Sequence, residues 1–123
     1  MRPLLIPLLA LAGCGSGPSA SSPLMMTCDI RGNASAAAHG QCQEWRGDKQ
    51  AETNAMVDFN VLCTSTLNGA VFSGECPSGA LGVCTKRPSV AERVVLHFYY
   101  PPDWDASSAS ANCTEMGGSW AAK

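Results

Sequence analysis

Six cysteines spread from residue 28 to residue 113 constrain this chain more than any other feature. They are Cys28, Cys42, Cys63, Cys76, Cys84 and Cys113, while a seventh, Cys14, lies near the N-terminus. An even number of cysteines in an exported chain is typical of a disulfide framework. The competing interpretation is reduced thiols or a zinc site, but there is no Cys-x-x-Cys pair and the histidines are His39 and His97 alone. Metal-ligand spacing is therefore missing, and we predict three disulfides, no metal and no cofactor.

The N-terminus has the composition of an export signal. Arg2 supplies a positive charge, and residues 3–12 form a leucine-rich apolar run that Pro7 interrupts. The run is about half the ~20 apolar residues that a membrane-spanning helix needs. We therefore predict a cleaved signal peptide over residues 1–13 rather than a permanent transmembrane anchor.

The end of this run, Leu11-Ala12-Gly13-Cys14, resembles the lipobox of bacterial lipoproteins. The resemblance implies cleavage before Cys14, a diacylglycerol on its thiol and commonly an acyl chain on the new amino group. Two or three acyl chains hold a protein firmly on a membrane, whereas one binds marginally. Gly15 in place of Asp resembles lipoproteins passed on to the outer membrane of Gram-negative bacteria. The alternative is an ordinary secretory signal with an incidental cysteine.

The rest of the chain divides into a tether and one domain. Residues 14–26 are predicted to be a lipidated flexible tether, because residues 15–23 contain nothing but Gly, Ser, Pro and Ala. Residues 27–123 then form a disulfide-rich domain. The chain has eight Lys and Arg against ten Asp and Glu, and losing Arg2 leaves seven against ten, a net charge of −3. This balance offers no basic patch, so we predict no nucleic-acid partner.

Residue patterns predict an α+β fold with two helices over a small antiparallel sheet. Strands are predicted at 41–46, 70–75, 83–87 and 93–100, with a hairpin loop over 86–92. One helix is predicted after Asp48, and the other after Asp103 or Asp105 and ending at Gly117. Their apolar faces carry Ala51, Ala55, Phe59 and Leu62 in the first helix, and Ala106, Ala109, Cys113 and Met116 in the second.

The order of cysteines and glycines repeats weakly along the chain. The first set is Cys28, Gly40-Gln41-Cys42, Cys63-Thr64, Gly69 and Phe72, and the second is Cys76, Gly82-Val83-Cys84, Cys113-Thr114, Gly117-Gly118 and Trp120. The spacings differ between the sets, so chance similarity is the alternative to internal duplication. A pseudo-twofold axis relating the sets would predict the bonds Cys42–Cys63, Cys84–Cys113 and Cys28–Cys76. The competing arrangement is Cys28–Cys42, Cys63–Cys76 and Cys84–Cys113.

Four short segments are similar to a group of uncharacterised small cysteine-rich bacterial lipoproteins. They are residues 40–45, Glu75-Cys76-Pro77, Tyr99-Tyr100-Pro101 and residues 113–120. The resemblance spans most of the predicted mature chain. It implies a shared fold and no known reaction.

Few side chains are candidates for chemistry. No Gly-x-Ser-x-Gly motif is present. Histidines in a loop or a strand, such as His39 and His97, are more often structural than part of a site. Asp103 and Asp105 are explained as helix-start residues. Glu44 would share a strand face with Cys42, which predicts either an interior hydrogen bond or a surface acid on an edge strand.

Aromatic residues are the best binding candidates. Tyr99, Tyr100 and Trp104 cluster around two prolines and could form an exposed platform for a saccharide or a peptide. We therefore predict a membrane-anchored envelope lipoprotein with a structural or binding role, partnered with the membrane through lipid on Cys14, and not an enzyme. The alternative is a small envelope hydrolase or redox enzyme whose site carries no known motif.

Overall fold

The computed structural model describes residues 19–32, 38–47, 59–87 and 93–123. They form a six-stranded antiparallel sheet, two short helical segments and three disulfides. The strands are β1 (Leu24–Asp29), β2 (Gln41–Gly47), β3 (Ala70–Phe72), β4 (Gly82–Lys86), β5 (Arg93–Tyr99) and β6 (Ser119–Ala122). Helix α1 covers Ala106–Glu115, and a π-helical turn covers Leu62–Thr66. The α+β prediction holds in outline, but strands contribute more of the fold than the predicted pair of helices.

The sheet has the order β3-β1-β2-β5-β4-β6, so β2 and β5 are its central pair. Gln43 in β2 lies opposite His97 in β5, and the same alignment continues outward on both sides. Directly opposed residues place their side chains on one face of a sheet. One row therefore crosses all six strands: Val71, Cys28, Gln43, His97, Cys84 and Trp120.

The disulfides join Cys28 to Cys63, Cys42 to Cys76 and Cys84 to Cys113, with Cα separations of 5.8, 5.9 and 5.6 Å. The predicted Cys84–Cys113 bond is confirmed. The predicted Cys42–Cys63 and Cys28–Cys76 bonds are wrong, as are the competing Cys28–Cys42 and Cys63–Cys76 bonds.

Strand alternation explains the error. Cys42 is adjacent to Gln43 in β2, so its side chain points to the opposite face from Gln43 and Cys28. Cys63 lies over the face that carries Cys28 and bonds to it, which leaves Cys42 to bond Cys76 on the other face. The prediction that a helical cysteine bonds a strand was right, but it chose the wrong strand.

Elements follow one another in the same order in two halves of the chain. The first half is β1, β2, the π-helical turn and β3, and the second is β4, β5, α1 and β6. In each half the last strand pairs with the first strand, and a helical cysteine bonds a cysteine of that first strand. Cys28 therefore corresponds to Cys84. The repeat in the sequence predicts instead that Cys28 corresponds to Cys76.

A glycine follows each helical segment where the backbone passes against the disulfide. Gly69 donates its N–H to the carbonyl of Cys63 at 2.7 Å, and Gly118 donates to Cys113 at 3.0 Å. A Cβ on Gly69 would lie 2.6 Å from the Cys28 Sγ, and a Cβ on Gly118 would overlap the Cys84 Sγ. Both positions therefore exclude a side chain.

The core lies on both faces of the sheet. On the face covered by the helical segments, the rings of Trp45 and Phe59 pack with centroids 4.0 Å apart, beside the Cys28–Cys63 bond. On the opposite face, Val94, Leu96 and Phe98 pack with Cys42. Burying a side chain such as Phe59 contributes roughly 1.5–3 kcal/mol, so these clusters and the disulfides share the stabilisation of a small domain.

The start of α1 settles the choice between the two predicted caps in favour of Asp105. Its carboxylate accepts the N–H of Ser108 at 2.7 Å, and the Ser108 hydroxyl accepts the N–H of Asp105 at 3.1 Å. This capping box satisfies donors that the first turn leaves free. Gly117, with φ of 75°, ends the helix as predicted.

Element boundaries differ from the prediction mainly at the ends of the domain. Strands β1 and β6 were not predicted, and β1 begins at Leu24, inside the segment assigned to the tether. β3 is shorter than the predicted 70–75, while β2, β4 and β5 lie close to their predicted ranges. Most of the predicted first helix, part of the 86–92 loop, the signal segment and Cys14 lie outside the described residues.

Candidate ligand-binding groove

An open groove of about 260 Å³ lies over the central strands, on the sheet face that carries the helical segments. Its lining residues are Gln43, Trp45, Leu62, Leu67, Lys86, Val95 and His97. Three strands and the π-helical turn supply this set. Apolar side chains form the walls, and three polar side chains lie among them.

Cross-strand register brings the floor of the groove together. Gln43 lies opposite His97, and Trp45 lies opposite Val95. Val95 is also opposite Lys86 on its other side, so a second row of side chains runs parallel to the Gln43 and His97 row. Residues two apart on one strand share a face, so both rows point toward the helical segments.

The π-helical turn supplies the apolar wall. The N–H of Leu67 donates to the carbonyl of Leu62 at 2.9 Å, a bond that spans one residue more than an α-helical bond. Leu62 and Leu67 are half-buried and pack against the cluster around Trp45. The widened turn therefore holds two leucines at the groove.

His97 is a neutral imidazole at physiological pH. Burial, and then the positive charge of Lys86, lower the pKa of His97 from 6.5 to about 4. A neutral imidazole has one N–H donor and one acceptor nitrogen. His97 therefore offers the groove hydrogen-bonding capacity in either direction.

Gln43 is the most buried polar group of the groove. It is 6% exposed, and its side-chain amide makes no hydrogen bond to another described residue. Lys86 likewise has no carboxylate within ion-pairing distance among the described residues. The side chains of Gln43 and Lys86 therefore have unused hydrogen-bonding capacity toward the groove.

The Trp45 ring is in contact with two neighbouring side chains. One face of its indole packs on Phe59, and the guanidinium carbon of Arg93 lies 4.2 Å from its ring centroid. The indole N–H is buried and has no acceptor among the described residues. The ring is thus a fixed apolar surface at one side of the groove.

The predicted aromatic platform does not have the expected exposure. Tyr99 is fully buried and Tyr100 is 6% exposed. The Tyr99 hydroxyl donates to Asn112 Oδ1 at 2.6 Å, and the Tyr100 hydroxyl donates to the carbonyl of Pro77 at 2.6 Å. Burial raises the pKa of each tyrosine to about 12. Both residues pack because each lies within a buried cluster on its own face of the sheet.

Trp104, the third residue of that prediction, is half-buried. Its indole N–H donates to the carbonyl of His39 at 2.8 Å, and its ring meets Tyr99 edge to face with centroids 4.9 Å apart. It therefore covers Tyr99 rather than standing out from the surface.

Glu44 makes the interior hydrogen bonds that its position suggested. It is 2% exposed and accepts the N–H of Cys76 at 2.7 Å and the Arg46 Nε at 2.9 Å. Arg46 also pairs with Glu75 at 2.9 Å. These charges connect β2 to the segment that carries Cys76 on the face opposite the groove, and they act as a structural brace.

Sequence reasoning missed the groove as a set. The sequence patterns predict a structural role for His97 and place Lys86 where the predicted strand 83–87 meets the loop 86–92, and they predict no role for Gln43 or Trp45. The alternation within residues 41–46 and 93–100 could have placed each pair on one face, but it could not show that β2 and β5 are neighbours.

Metal sites and membrane-spanning helices are both absent from the described residues. No group of three or more His, Cys, Asp and Glu side chains there is arranged to hold a metal ion. In the same residues, no helix has the length and apolar character needed to cross a membrane.

Comparison with known proteins identified no matching family model, no matching curated protein and no matching solved structure.

Proposed function

We propose that this protein is a lipid-anchored lipoprotein of the bacterial cell envelope with a binding role. The observation that carries the proposal is the disulfide framework. Five of its six cysteines are fully buried, and all six are bonded. Structural disulfides persist in oxidising compartments outside the cytoplasm. This supports export, which the signal-like segment 1–13 indicates independently.

The anchor in this proposal is lipid on Cys14. The lipobox resemblance of residues 11–14 supports it, and residues 15–23 separate Cys14 from the start of β1 at Leu24. Two or three acyl chains would hold the protein on a membrane without a transmembrane helix. In a Gram-negative host, Gly15 favours the outer membrane.

The proposed activity is binding rather than catalysis, and its site is the groove over β2 and β5. All six domain cysteines are bonded, so none supplies a thiolate nucleophile. The groove combines apolar walls with a few polar groups, which is the usual composition of a small-molecule site. The acidic net balance disfavours nucleic acid as a partner.

We also infer that the domain arose by internal duplication of a strand-strand-helix-strand unit. The support is that Cys28 and Cys84 occupy equivalent positions in the sheet. Cys28 lies opposite Gln43 and Val71, and Cys84 lies opposite His97 and Trp120. The two central strands meet at Gln43 and His97, so the groove would lie where the two copies join.

The anchor is tested by mass spectrometry of the membrane fraction from cells that express the full chain. We expect an acylated N-terminal peptide that begins at Cys14. Cys14→Ser should leave unprocessed precursor, because the sulfur that accepts the lipid is gone. Ser16→Ala is the matched control in the tether and should be acylated normally. A mature product that begins elsewhere and carries no lipid would contradict the proposal.

A further inference from the structure

The groove over β2 and β5 contains polar capacity that nothing else in the described residues uses. The amide of Gln43 and the amine of Lys86 lack protein partners there, and the imidazole of His97 is neutral. Gln43 is at the same time almost fully buried. The Gln43 amide still reaches solvent at the open groove, so a ligand there can take the place of water as its hydrogen-bond partner.

We propose that this groove binds a small organic carboxylate with an apolar body. The carboxylate lies among Lys86, Gln43 and His97, and the apolar body lies against Trp45, Leu62 and Leu67. This inference rests on the proposed binding role and names the class of ligand for it.

The charge of the polar end selects the ligand class. Lys86 supplies a positive charge, and the amide of Gln43 and the N–H of His97 supply two neutral donors. A carboxylate accepts from all three groups, and hydrogen bonds to an ionised group are about twice as strong as neutral ones. A cationic ligand would meet Lys86 at short range, so the groove disfavours it.

The apolar side chains of the groove determine which apolar group the ligand can carry. Trp45 presents a large ring fixed by Phe59 and Arg93, and the two leucines of the π-helical turn lie at the same groove. Drug-sized ligands occupy pockets of roughly 300–1,000 Å³, so a groove of about 260 Å³ suits a smaller molecule. One aromatic ring with a short acid-bearing arm meets both requirements.

The second half of the domain has Tyr99 at the position that corresponds to Trp45. Tyr99 lies two residues after His97 in β5, as Trp45 lies two residues after Gln43 in β2. The Tyr99 hydroxyl is bonded to Asn112, and Trp104 and Trp120 pack edge to face on its ring. The aromatic ring at this position is thus covered in the second half, whereas an open groove lies beside Trp45 in the first half.

The experiment is calorimetric titration of the mature acylated protein in a non-ionic detergent with 3-phenylpropionate. The matched probe is 3-phenylpropanamide, which has the same body without the charge. We expect the acid to bind about tenfold more tightly than the amide. Lys86→Gln should weaken the acid about tenfold and leave the amide unchanged. Gln43→Leu should weaken the acid as well, because it removes a donor.

Lys123→Gln is the matched control, because Lys123 lies 5.1 Å from the ring of Phe98, on the face opposite the groove. It should leave both affinities unchanged. Failure of the acid to bind, or equal affinity of the acid for the native protein and Lys86→Gln, would overturn the inference. Either failure leaves the acylation of Cys14 unaffected, so it is distinguishable from failure of the proposed anchor.

Discussion

The two halves of the sheet have the same order of elements and the same disulfide between a helix and the first strand, yet only one of them is closed. In the second half, α1 lies over a hydrogen-bonded cluster of Tyr99 and Asn112. In the first half, the π-helical turn lies beside Trp45, and the groove remains open. The same order of elements thus preserves the disulfide framework while the packing over the sheet differs between the two halves.

The two halves also differ by one residue in the number of residues from the helical cysteine to the glycine that follows it. Gly69 lies six residues after Cys63, whereas Gly118 lies five residues after Cys113. Both glycines bond back to the preceding helical cysteine, so the extra residue must be absorbed between them. A π-helical turn accommodates one additional residue in a helix. Leu67, which directly follows the π-helical turn, lines the groove, whereas Met116, the residue at the corresponding end of α1, packs against the cluster around Tyr99.

Removing one disulfide from each half is the strongest test of their equivalence. Cys28→Ala with Cys63→Ala, and separately Cys84→Ala with Cys113→Ala, open loops of 35 and 29 residues. The chain-entropy relation gives each loop about 3.5–4 kcal/mol, so both variants should lose a similar free energy of unfolding. Urea unfolding of the two variants measures it. A loss below about 1 kcal/mol for one pair alone would show that the halves are not stabilised alike.

The next test makes the central residues of the two halves identical. His97→Gln places glutamine opposite Gln43 and removes a titrating group. The folded state holds the pKa of His97 at about 4, against 6.5 normally, so the unfolded chain binds more protons between these values. The contribution of His97 to the stability of the native protein should therefore fall as pH decreases from about 6.5 to 4 and stay level below that.

The expected contribution of His97 over that window is about 2 kcal/mol after solvent screening. Urea unfolding at pH 7 and pH 4 measures it in both proteins. His97→Gln should lose less stability by this amount, because glutamine does not titrate. His39→Gln is the control for a histidine outside the groove. Equal pH dependence of His97→Gln and the native protein would show that His97 is not the group responsible.

The smallest expected effect on stability comes from deleting Ser65. The deletion shortens the separation of Cys63 and Gly69 from six residues to five, which is the separation of Cys113 and Gly118. It should convert the π-helical turn to an α-helical one. Ser65 is exposed, so no buried contact is lost, and unfolding should change by less than about 1 kcal/mol. The affinity for 3-phenylpropionate should fall, because Leu67 moves. Ser65→Ala keeps the length and should keep the affinity. If the deletion left the affinity unchanged, the π-helical turn would not be part of the binding site.

Local patterns were enough for the elements whose signal lies in consecutive residues. The β-branched and aromatic run of β5 predicted a strand, and Asp105 and Gly117 marked the limits of α1. The Cys84–Cys113 bond belongs to both predicted arrangements, and it joins β4 to the helix that follows β5 in the same half of the chain. The lipobox is equally local, and lipid on Cys14 stays a prediction.

Tertiary structure alone decided which strands are neighbours, and with that the groove. The residues of β1 and β6 show no clear alternation of apolar and polar side chains, and these strands form because β2 and β4 provide partners for them. Cys63 bonds Cys28 because β1 pairs with β2 in a register that places the Cys28 side chain on the face over which Cys63 lies. Gln43 and His97 meet because β2 pairs with β5. Such contacts join residues far apart in the chain, so their free energy depends on the whole sheet, and no local propensity encodes it.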